Sequence, residues 1–319
     1  MAVHAFIFPG QGSQAVGMGR DLAAAFAAAR EVFGEVDETL RQNLSRLMFE
    51  GPGEELTLTE NAQPALMAHS LAVLRVIEHE GGLRLADRAA VVAGHSLGEY
   101  SALAAAGSFS VGDAARLLRL RGQAMQRAVP AGAGAMAALL GADLDLAAAI
   151  CAEAAAAPEG GTEVIQPAND NGGGQVVISG TAAAVERAIE IARSRGVKRA
   201  MKLPVSAPFH CALMAPAAAA MAEALAHTPP RALALPLIAN VSAAKATDPA
   251  EITRLLVQQV TETVRWRESV VTMGGLGIDS FIELGAGRVL AGLVRRILPD
   301  AAASSAGTPG EIEQLLKTL

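Results

Sequence analysis

The chain has 319 residues, 51% of them hydrophobic, which is enough for one large domain or two smaller domains with buried cores. The formal net charge of −6 argues against a nucleic-acid partner, and two cysteines, Cys151 and Cys211, are too few for a disulfide framework and lack metal-ligand spacing. With no signal-peptide pattern at the start and no apolar run of about 20 residues, we expect a cytoplasmic protein without a membrane span.

The first part of the chain predicts strands that alternate with helices. Residues 2–8 are apolar and predict a buried strand, which ends at a glycine-rich loop over residues 9–14. The loop matches the dinucleotide-binding fingerprint only loosely, and no acidic residue follows at the expected distance. We therefore interpret it as a source of a backbone N–H, or of the Gln11 amide, for a site at the carboxyl end of this strand. Helices are predicted from about residue 19, at 61–80 and at 111–127.

Residues 94–98 read Gly-His-Ser-Leu-Gly, between a short apolar strand at 89–93 and an Ala- and Leu-rich helix at 97–106. A strand, this turn and a helix are typical of a nucleophile elbow, which lifts the Ser96 hydroxyl clear of the sheet. The turn requires glycine because a side chain at either end would collide with neighbouring backbone. The Leu97 N–H at the helix start is then available to a developing oxyanion. The alternative is an ordinary strand–helix turn that contains a serine.

A change of composition after residue 128 indicates a second folding unit. A linker at 130–134 precedes elements in the order β-α-β-β-α-β, which is the ferredoxin-like arrangement. The predicted strands are 135–140, 163–168, 175–179 and 197–203, the helices are 144–157 and 182–195, and a turn covers 169–174.

From residue 205 the sequence again alternates strands and helices. The predicted helices are 213–227, 249–266 and one that ends at 298, and the strands are 235–241 and 279–284. We expect an α/β fold in which residues 1–128 and 205–319 form an α/β-hydrolase-like domain around a parallel sheet. Residues 129–204 are expected to form the inserted ferredoxin-like domain, and the tail beyond 299 is expected to pack weakly.

A serine nucleophile needs a base, and six histidines are available. His95 adjoins Ser96, but neighbouring side chains in a tight turn usually point apart. His210 lies in a loop stiffened by Pro204 and Pro208, as expected where an imidazole must be held still. A serine hydrolase would place an acid between its serine and histidine in the chain, and no acid in this interval follows a predicted strand of the large domain.

Further motifs follow one another along the chain. They are FPGQGSQ (8–14), GHSLGEY (94–100), RG (121–122), GQVVISG (174–180), VSAPFH (205–210), NV (240–241), Gln259 with VRW (264–266), and ELG (283–285). With these motifs the chain resembles the malonyl-CoA:acyl-carrier-protein transacylase family of fatty acid synthesis over nearly its whole length.

The resemblance implies a catalytic role for each matching residue. Ser96 would be acylated, and His210 would act as its base in a Ser–His dyad without a carboxylate. Gln259 would orient the histidine through its backbone carbonyl. The N–H groups of Gln11 and Leu97 would form the oxyanion hole.

The resemblance also implies contacts to the substrate. Arg121 would bind the malonyl carboxylate, and a planar guanidinium suits this because it can donate two hydrogen bonds to a carboxylate. Spacing alone would not choose Arg121 over other arginines of its helix. Asn169 or Asn171 would contact the acyl donor. Phe209 would restrict the pocket, although fatty acid synthesis members often have Ser there, so the selectivity among extender groups stays open.

The implied partners are malonyl-CoA and an acyl carrier protein, with no cofactor or metal. Acyl carrier proteins are acidic, and so is this chain, so docking needs a local basic surface. One candidate is a run of cations in a segment without acids; its members are Arg193, Arg195, Lys198, Arg199 and Lys202. The alternative is a solvated helix end.

Two other functions are compatible with parts of this pattern. A serine thioesterase or esterase would share the elbow and the histidine, but would release free malonate. A non-catalytic carrier-binding protein would form no acyl-serine, and the presence of both Ser96 and His210 argues against it. The sequence leaves open whether fatty acid or polyketide synthesis is served.

Overall fold

Two separate β-sheets organise the computed structural model, which describes residues 3–205 and 207–319. The larger sheet contains β1 (His4–Phe8), β2 (Ala89–Gly94), β7 (Leu237–Ile238), β8 (Lys245–Ala246), β9 (Ser280–Leu284) and β10 (Ala302–Ala306). The smaller sheet contains β3 (Gly134–Leu140), β4 (Ile165–Gly172), β5 (Gln175–Thr181) and β6 (Arg199–Lys202). Ala2 of the predicted first strand and Ser206 of the 205–210 motif lie outside the described residues.

Fourteen α-helices surround these sheets in the described part of the chain. They are α1 (Arg20–Ala25), α2 (Ala27–Leu40), α3 (Leu44–Glu50), α4 (Gly53–Thr57), α5 (Thr59–Gly81), α6 (Gly98–Ala105), α7 (Val111–Arg127), α8 (Leu144–Ala154), α9 (Ala182–Ser194), α10 (Ala215–His227), α11 (Pro249–Gln259), α12 (Trp266–Gly275), α13 (Val289–Ile297) and α14 (Pro309–Leu316). Short 3₁₀ turns occur at Leu85–Asp87 and Ala212–Met214.

The larger sheet has the strand order β10-β9-β1-β2-β7-β8, and only β8 is antiparallel to its neighbour. Successive side chains of β1 enter opposite cores, with Phe6 and Phe8 on one face and Ile7 on the other, as expected for a parallel sheet covered on both faces. Phe8 pairs with Gly94, so β1 and β2 end side by side. The loops that follow these two strands therefore meet at one edge of the sheet.

The smaller sheet is antiparallel, with strand order β4-β5-β3-β6. Helices α8 and α9 pack against it and share a separate hydrophobic core that includes Ile150, Val185 and Ile189. The predicted α/β class, parallel sheet and β-α-β-β-α-β unit are thereby confirmed. The boundaries at 128/129 and 204/205 stay predictions.

The prediction of one helix over 249–266 was wrong, because α11 ends at Gln259 and α12 begins at Trp266 after a break. In the break, Val264 N–H donates to Ala168 O (2.9 Å) and Asp170 N–H donates to Val264 O (2.9 Å). This strand-like pairing with β4 competes with the helical hydrogen bonds and ends α11 at Gln259. Pairing with β5 carries β4 as far as Gly172, so Asn169 and Asn171 lie in a strand and not in the predicted turn.

The expectation of a weakly packed tail was also wrong. Strand β10 extends the larger sheet parallel to β9, and α14 packs on α5 with Ile312 buried. Thr308 and Glu311 form a capping box at the start of α14, which satisfies amide groups at the helix end. Composition did not indicate this edge strand, because β10 consists only of small Ala and Ser residues. In residues 3–205 and 207–319, no helix has the length and apolar character needed to cross a membrane.

Candidate active site

Ser96 lies in a strained turn between β2 and α6. Its φ of 54° is left-handed, which is uncommon for a residue with a side chain and recurs at functional sites. A Cβ on Gly94 would lie 1.9 Å from Gly98 O, and one on Gly98 would lie 2.2 Å from Phe8 O. Neither position can accept a side chain, so the local geometry is that of the predicted elbow.

His210 lies beside Ser96, although 114 positions separate them in the chain. Its Nε2 is 2.7 Å from Ser96 Oγ, and its Nδ1 is 2.7 Å from the backbone oxygen of Gln259. A carbonyl can only accept a hydrogen bond, so Nδ1 carries the proton and Nε2 presents a lone pair to the serine hydroxyl. This tautomer is the one a general base requires.

The imidazole of His210 is held in its neutral form. Burial lowers the pKa of His210 to about 3, and the nearby Arg121 cation acts in the same direction. Protonation would put a second positive charge into a buried site. His210 therefore stays ready to accept a proton at neutral and moderately acidic pH.

Arg121 projects from α7 into the same site and is only 1% exposed. Its Nη1 donates to Gln63 Oε1 (2.7 Å), and its Nη2 donates to Gln259 Oε1 (2.9 Å) and Ser96 Oγ (3.1 Å). Burial lowers the pKa of this guanidinium, since water that would solvate the charge is excluded. All three hydrogen-bond partners are uncharged, so the buried cation is suited to an anionic ligand.

The other arginines of α7 have different surroundings. Arg116 forms an exposed ion pair with Asp113 (2.7 Å), and Arg119 contacts Gln42. Of these three arginines, only Arg121 lines the cavity that contains Ser96. The geometry thus separates residues that sequence spacing could not.

Sequence reasoning gave no role to the buried side chains of Asn240 and Glu99 beneath the elbow, and for Gln259 it predicted only the backbone carbonyl. Asn240 Oδ1 accepts from Ser96 N–H (2.8 Å), while Asn240 Nδ2 donates to Gly94 O (2.7 Å). Gln259 Nε2 donates to Ser96 O (2.9 Å) and to Glu99 Oε2 (2.6 Å). Burial raises the pKa of Glu99 to about 7. The sequence signal that could have identified Glu99 is an acid three positions after Ser96, on an otherwise apolar helix.

Two residues that line the cavity beside Ser96 have backbone N–H groups without an acceptor in the described ranges. The amides of Gly98, Glu99 and Tyr100 donate to the carbonyls of residues 95–97, so these groups are already used. The N–H groups of Leu97 and Gln11 donate to no acceptor within the described ranges, and both residues line the cavity. Unpaired amides at this place can stabilise developing negative charge.

The cavity has a volume of about 510 Å³ and lies between the two sheets. Its wall contains the remaining predicted substrate contacts, Asn169, Asn171 and Phe209. Asn171 Oδ1 lies 2.8 Å from His95 Nε2, which links β4 to the elbow, whereas Asn169 shows no corresponding contact with the elbow. Both asparagines stay candidates for the acyl-donor contact.

The predicted basic docking segment does not line this cavity. Its cations are partly neutralised, because Arg193 pairs with Glu190, Arg195 with Glu153, and Lys202 with Glu186. Lys198 and Arg199 form no ion pair with a carboxylate of the described chain. A docking role for this segment stays a prediction.

Comparisons with known proteins agree with this geometry. A family model described as acyl transferase domain matches residues 5–310. The chain is 46% identical to a malonyl CoA-acyl carrier protein transacylase of Bacillus subtilis, over 100% of this chain and 98% of that protein. It is 44% identical to the protein of the same name from Escherichia coli K12, over 99% of this chain and 100% of that one.

The chain is also similar to solved structures of malonyltransferases over its full length. An acyl-carrier-protein-S-malonyltransferase from Bartonella henselae is 56% identical and superposes with a TM-score of 0.95, over 99% of each chain. A malonyl-transacylase solved in complex with a type II PKS acyl-carrier protein is 40% identical, with a TM-score of 0.94 over 100% of each chain.

Proposed function

This chain belongs to the malonyl CoA-acyl carrier protein transacylase family of acyl transferases, and from that premise we propose that it transfers malonyl groups from malonyl-CoA to the phosphopantetheine thiol of an acyl carrier protein. The strongest support is the position of the buried Arg121 cation, whose Nη2 lies 3.1 Å from Ser96 Oγ. A cation beside a nucleophile suits an acyl group that carries a carboxylate. The proposal includes the cytoplasmic location and the supply of extender units for fatty acid synthesis.

In the first half-reaction, Ser96 Oγ attacks the thioester carbonyl and His210 Nε2 takes the hydroxyl proton. The resulting oxyanion accepts hydrogen bonds from the N–H groups of Gln11 and Leu97. Collapse of the tetrahedral intermediate breaks the C–S bond, and His210 returns the proton to the sulfur of CoA. The product is a malonyl ester of Ser96, with its carboxylate on Arg121.

The second half-reaction runs the same steps with a different sulfur. The carrier thiol gives its proton to His210 and attacks the ester carbonyl. Collapse releases Ser96 Oγ, which recovers the proton, and malonyl leaves as a thioester of the carrier. No metal or cofactor is needed for the balance of atoms and charge in either half.

Separate half-reactions test this function. Incubation with radiolabelled malonyl-CoA alone should leave label on the protein, and later addition of the phosphopantetheinylated carrier should move the label to the carrier. Release of free malonate in excess over malonyl carrier would identify a thioesterase. Absence of any labelled protein would point to a non-catalytic carrier-binding role.

We expect Arg121→Ala to remove the preference for malonyl over acetyl groups. Without the guanidinium, the malonyl carboxylate is buried unpaired, and kcat/KM for malonyl-CoA should fall by about 10²–10³-fold. The value for acetyl-CoA should fall much less, because acetyl has no carboxylate. Arg116→Ala, which alters an exposed arginine of the same helix, is the matched control and should leave the ratio unchanged. A retained preference in Arg121→Ala would mean that another cation reads the carboxylate.

A further inference from the structure

Helix α13 forms part of the cavity wall and continues to the outer surface. Val289, Leu290 and Leu293 line the cavity, and Val289 is 52% exposed. Positions 289, 293 and 296 share one helix face because they are four and three residues apart. An exposed apolar side chain thus stands at the cavity mouth, on the same face as Arg296.

Three exposed arginines surround this apolar position. Arg296 packs close to Gly173, in the turn between β4 and β5, and forms no ion pair with a described carboxylate. Arg295 donates to the neutral Ala303 carbonyl, so its charge is not cancelled. Arg288 pairs with Glu311 at 2.7 Å. The helix dipole favours Arg295 and Arg296 in the last turn of α13, whereas Arg288 at its start is held by the ion pair with Glu311. The uncancelled positive charge of the cluster therefore comes from Arg295 and Arg296.

We propose that these four residues, Arg288, Val289, Arg295 and Arg296, form the docking surface for the acidic phosphopantetheine carrier. We call this surface the α13 edge; its assignment rests on the proposed function. The chain itself has a net charge of −6, so an acidic partner is repelled overall and needs a local concentration of positive charge. The α13 edge supplies that charge and is continuous with the cavity that the carrier's arm must enter. The basic segment at 193–202 is less suitable on both counts. Ion pairs with carboxylates occupy three of its five cations, and the segment does not line the cavity.

The double variant Arg295→Glu/Arg296→Glu tests this surface in the full-length protein. We expect the KM for the carrier to rise by about tenfold or more, because attractive contacts become repulsive. Loading of Ser96 from malonyl-CoA, measured without carrier, should stay within about twofold of wild type, as both residues are outside the cavity wall. The comparison variant is Arg195→Glu/Arg199→Glu, which reverses the same charge in the other basic segment and should raise the carrier KM less than the α13 variant does.

Salt provides a second measurement. The carrier KM of the wild type should rise with ionic strength, whereas the uncharged variant Arg295→Gln/Arg296→Gln should show a weaker dependence. This variant also guards against misfolding caused by charge reversal. An unchanged carrier KM in both α13 variants, or a larger rise in the 193–202 variant, would overturn the proposed surface.

Parallel loss of loading and transfer in the α13 variants would also overturn it, because the arginines would then serve CoA binding or stability. Failure of the proposed function looks different. The wild type would then acquire no label from malonyl-CoA, or would pass none to the carrier, whatever residues occupy α13.

Discussion

Ser96→Ala is expected to abolish malonyl loading, lowering the rate of transfer by about 10⁴-fold or more. The substitution removes the hydroxyl oxygen that lies 2.7 Å from His210 Nε2 and would form the ester bond. The elbow backbone should persist, since Ser96 N–H and O, not its hydroxyl, make the bonds to Asn240 and Gln259. Intact-mass spectrometry after incubation with malonyl-CoA measures the result directly.

A serine elsewhere in the same cavity provides the control for this variant. Ser13 lines the cavity in the loop after β1, and Ser13→Ala should still acquire one malonyl group. A malonylated Ser96→Ala protein would show that another side chain carries the acyl group, and the proposed mechanism would be wrong.

His210→Ala is expected to slow the loading of Ser96 by about 10²–10⁴-fold, the usual contribution of a positioned general base. The serine remains in place, but among the described residues the other hydrogen-bond partner of its hydroxyl is Arg121, which is a donor and cannot accept the proton. The burst of CoA release on mixing with malonyl-CoA measures this step. His227→Ala, at an exposed histidine near the end of α10, is the control and should load normally. A burst rate within about tenfold of wild type in His210→Ala would exclude the histidine as base.

The pH profile of the wild-type burst gives a second measurement of the same residue. A histidine with an ordinary pKa of about 6.5 would lose its basic form on acidification from pH 8 to 5. Burial and Arg121 lower the pKa of His210 to about 3, so it stays unprotonated over this whole range. The burst rate should therefore show no acid limb near pH 6.5. A limb near pH 7 that disappears in Glu99→Gln would belong to Glu99, whose pKa burial raises to about 7.

Local patterns predicted the parts of the fold that depend on neighbouring residues. Helix α7 has the bounds expected from its sequence, because Ser110 caps its start by accepting from Asp113 N–H. The elbow followed from two glycines whose neighbours leave no room for a side chain. In both cases the signal lies within a few residues of the structure that it specifies.

Pairings between distant segments could not be predicted in the same way. The end of α11 depends on Val264 pairing with β4, about 95 residues earlier in the chain, and the helical pattern gave no sign of it. That break leaves the Gln259 carbonyl free to accept from His210. Arg121 differs from Arg116 and Arg119 only in the direction it faces once the helices have packed. Glu99, Asn240 and Gln63 act through contacts that exist only in the folded chain.

The carbonyl behind His210 has a further chemical consequence. A peptide dipole stabilises an imidazolium less than the full negative charge of an aspartate would, so the histidine is a mild base. A thiol, with a pKa of about 8.5, gives up its proton far more readily than water, at about 15.7. Ser96 is deprotonated despite its low acidity because its hydroxyl is fixed 2.7 Å from His210 Nε2. Among nucleophiles that arrive from outside, a mild base activates the more acidic thiol in preference to water. The neutral Gln259 carbonyl, in place of a carboxylate, therefore slows hydrolysis of the acyl-serine by water.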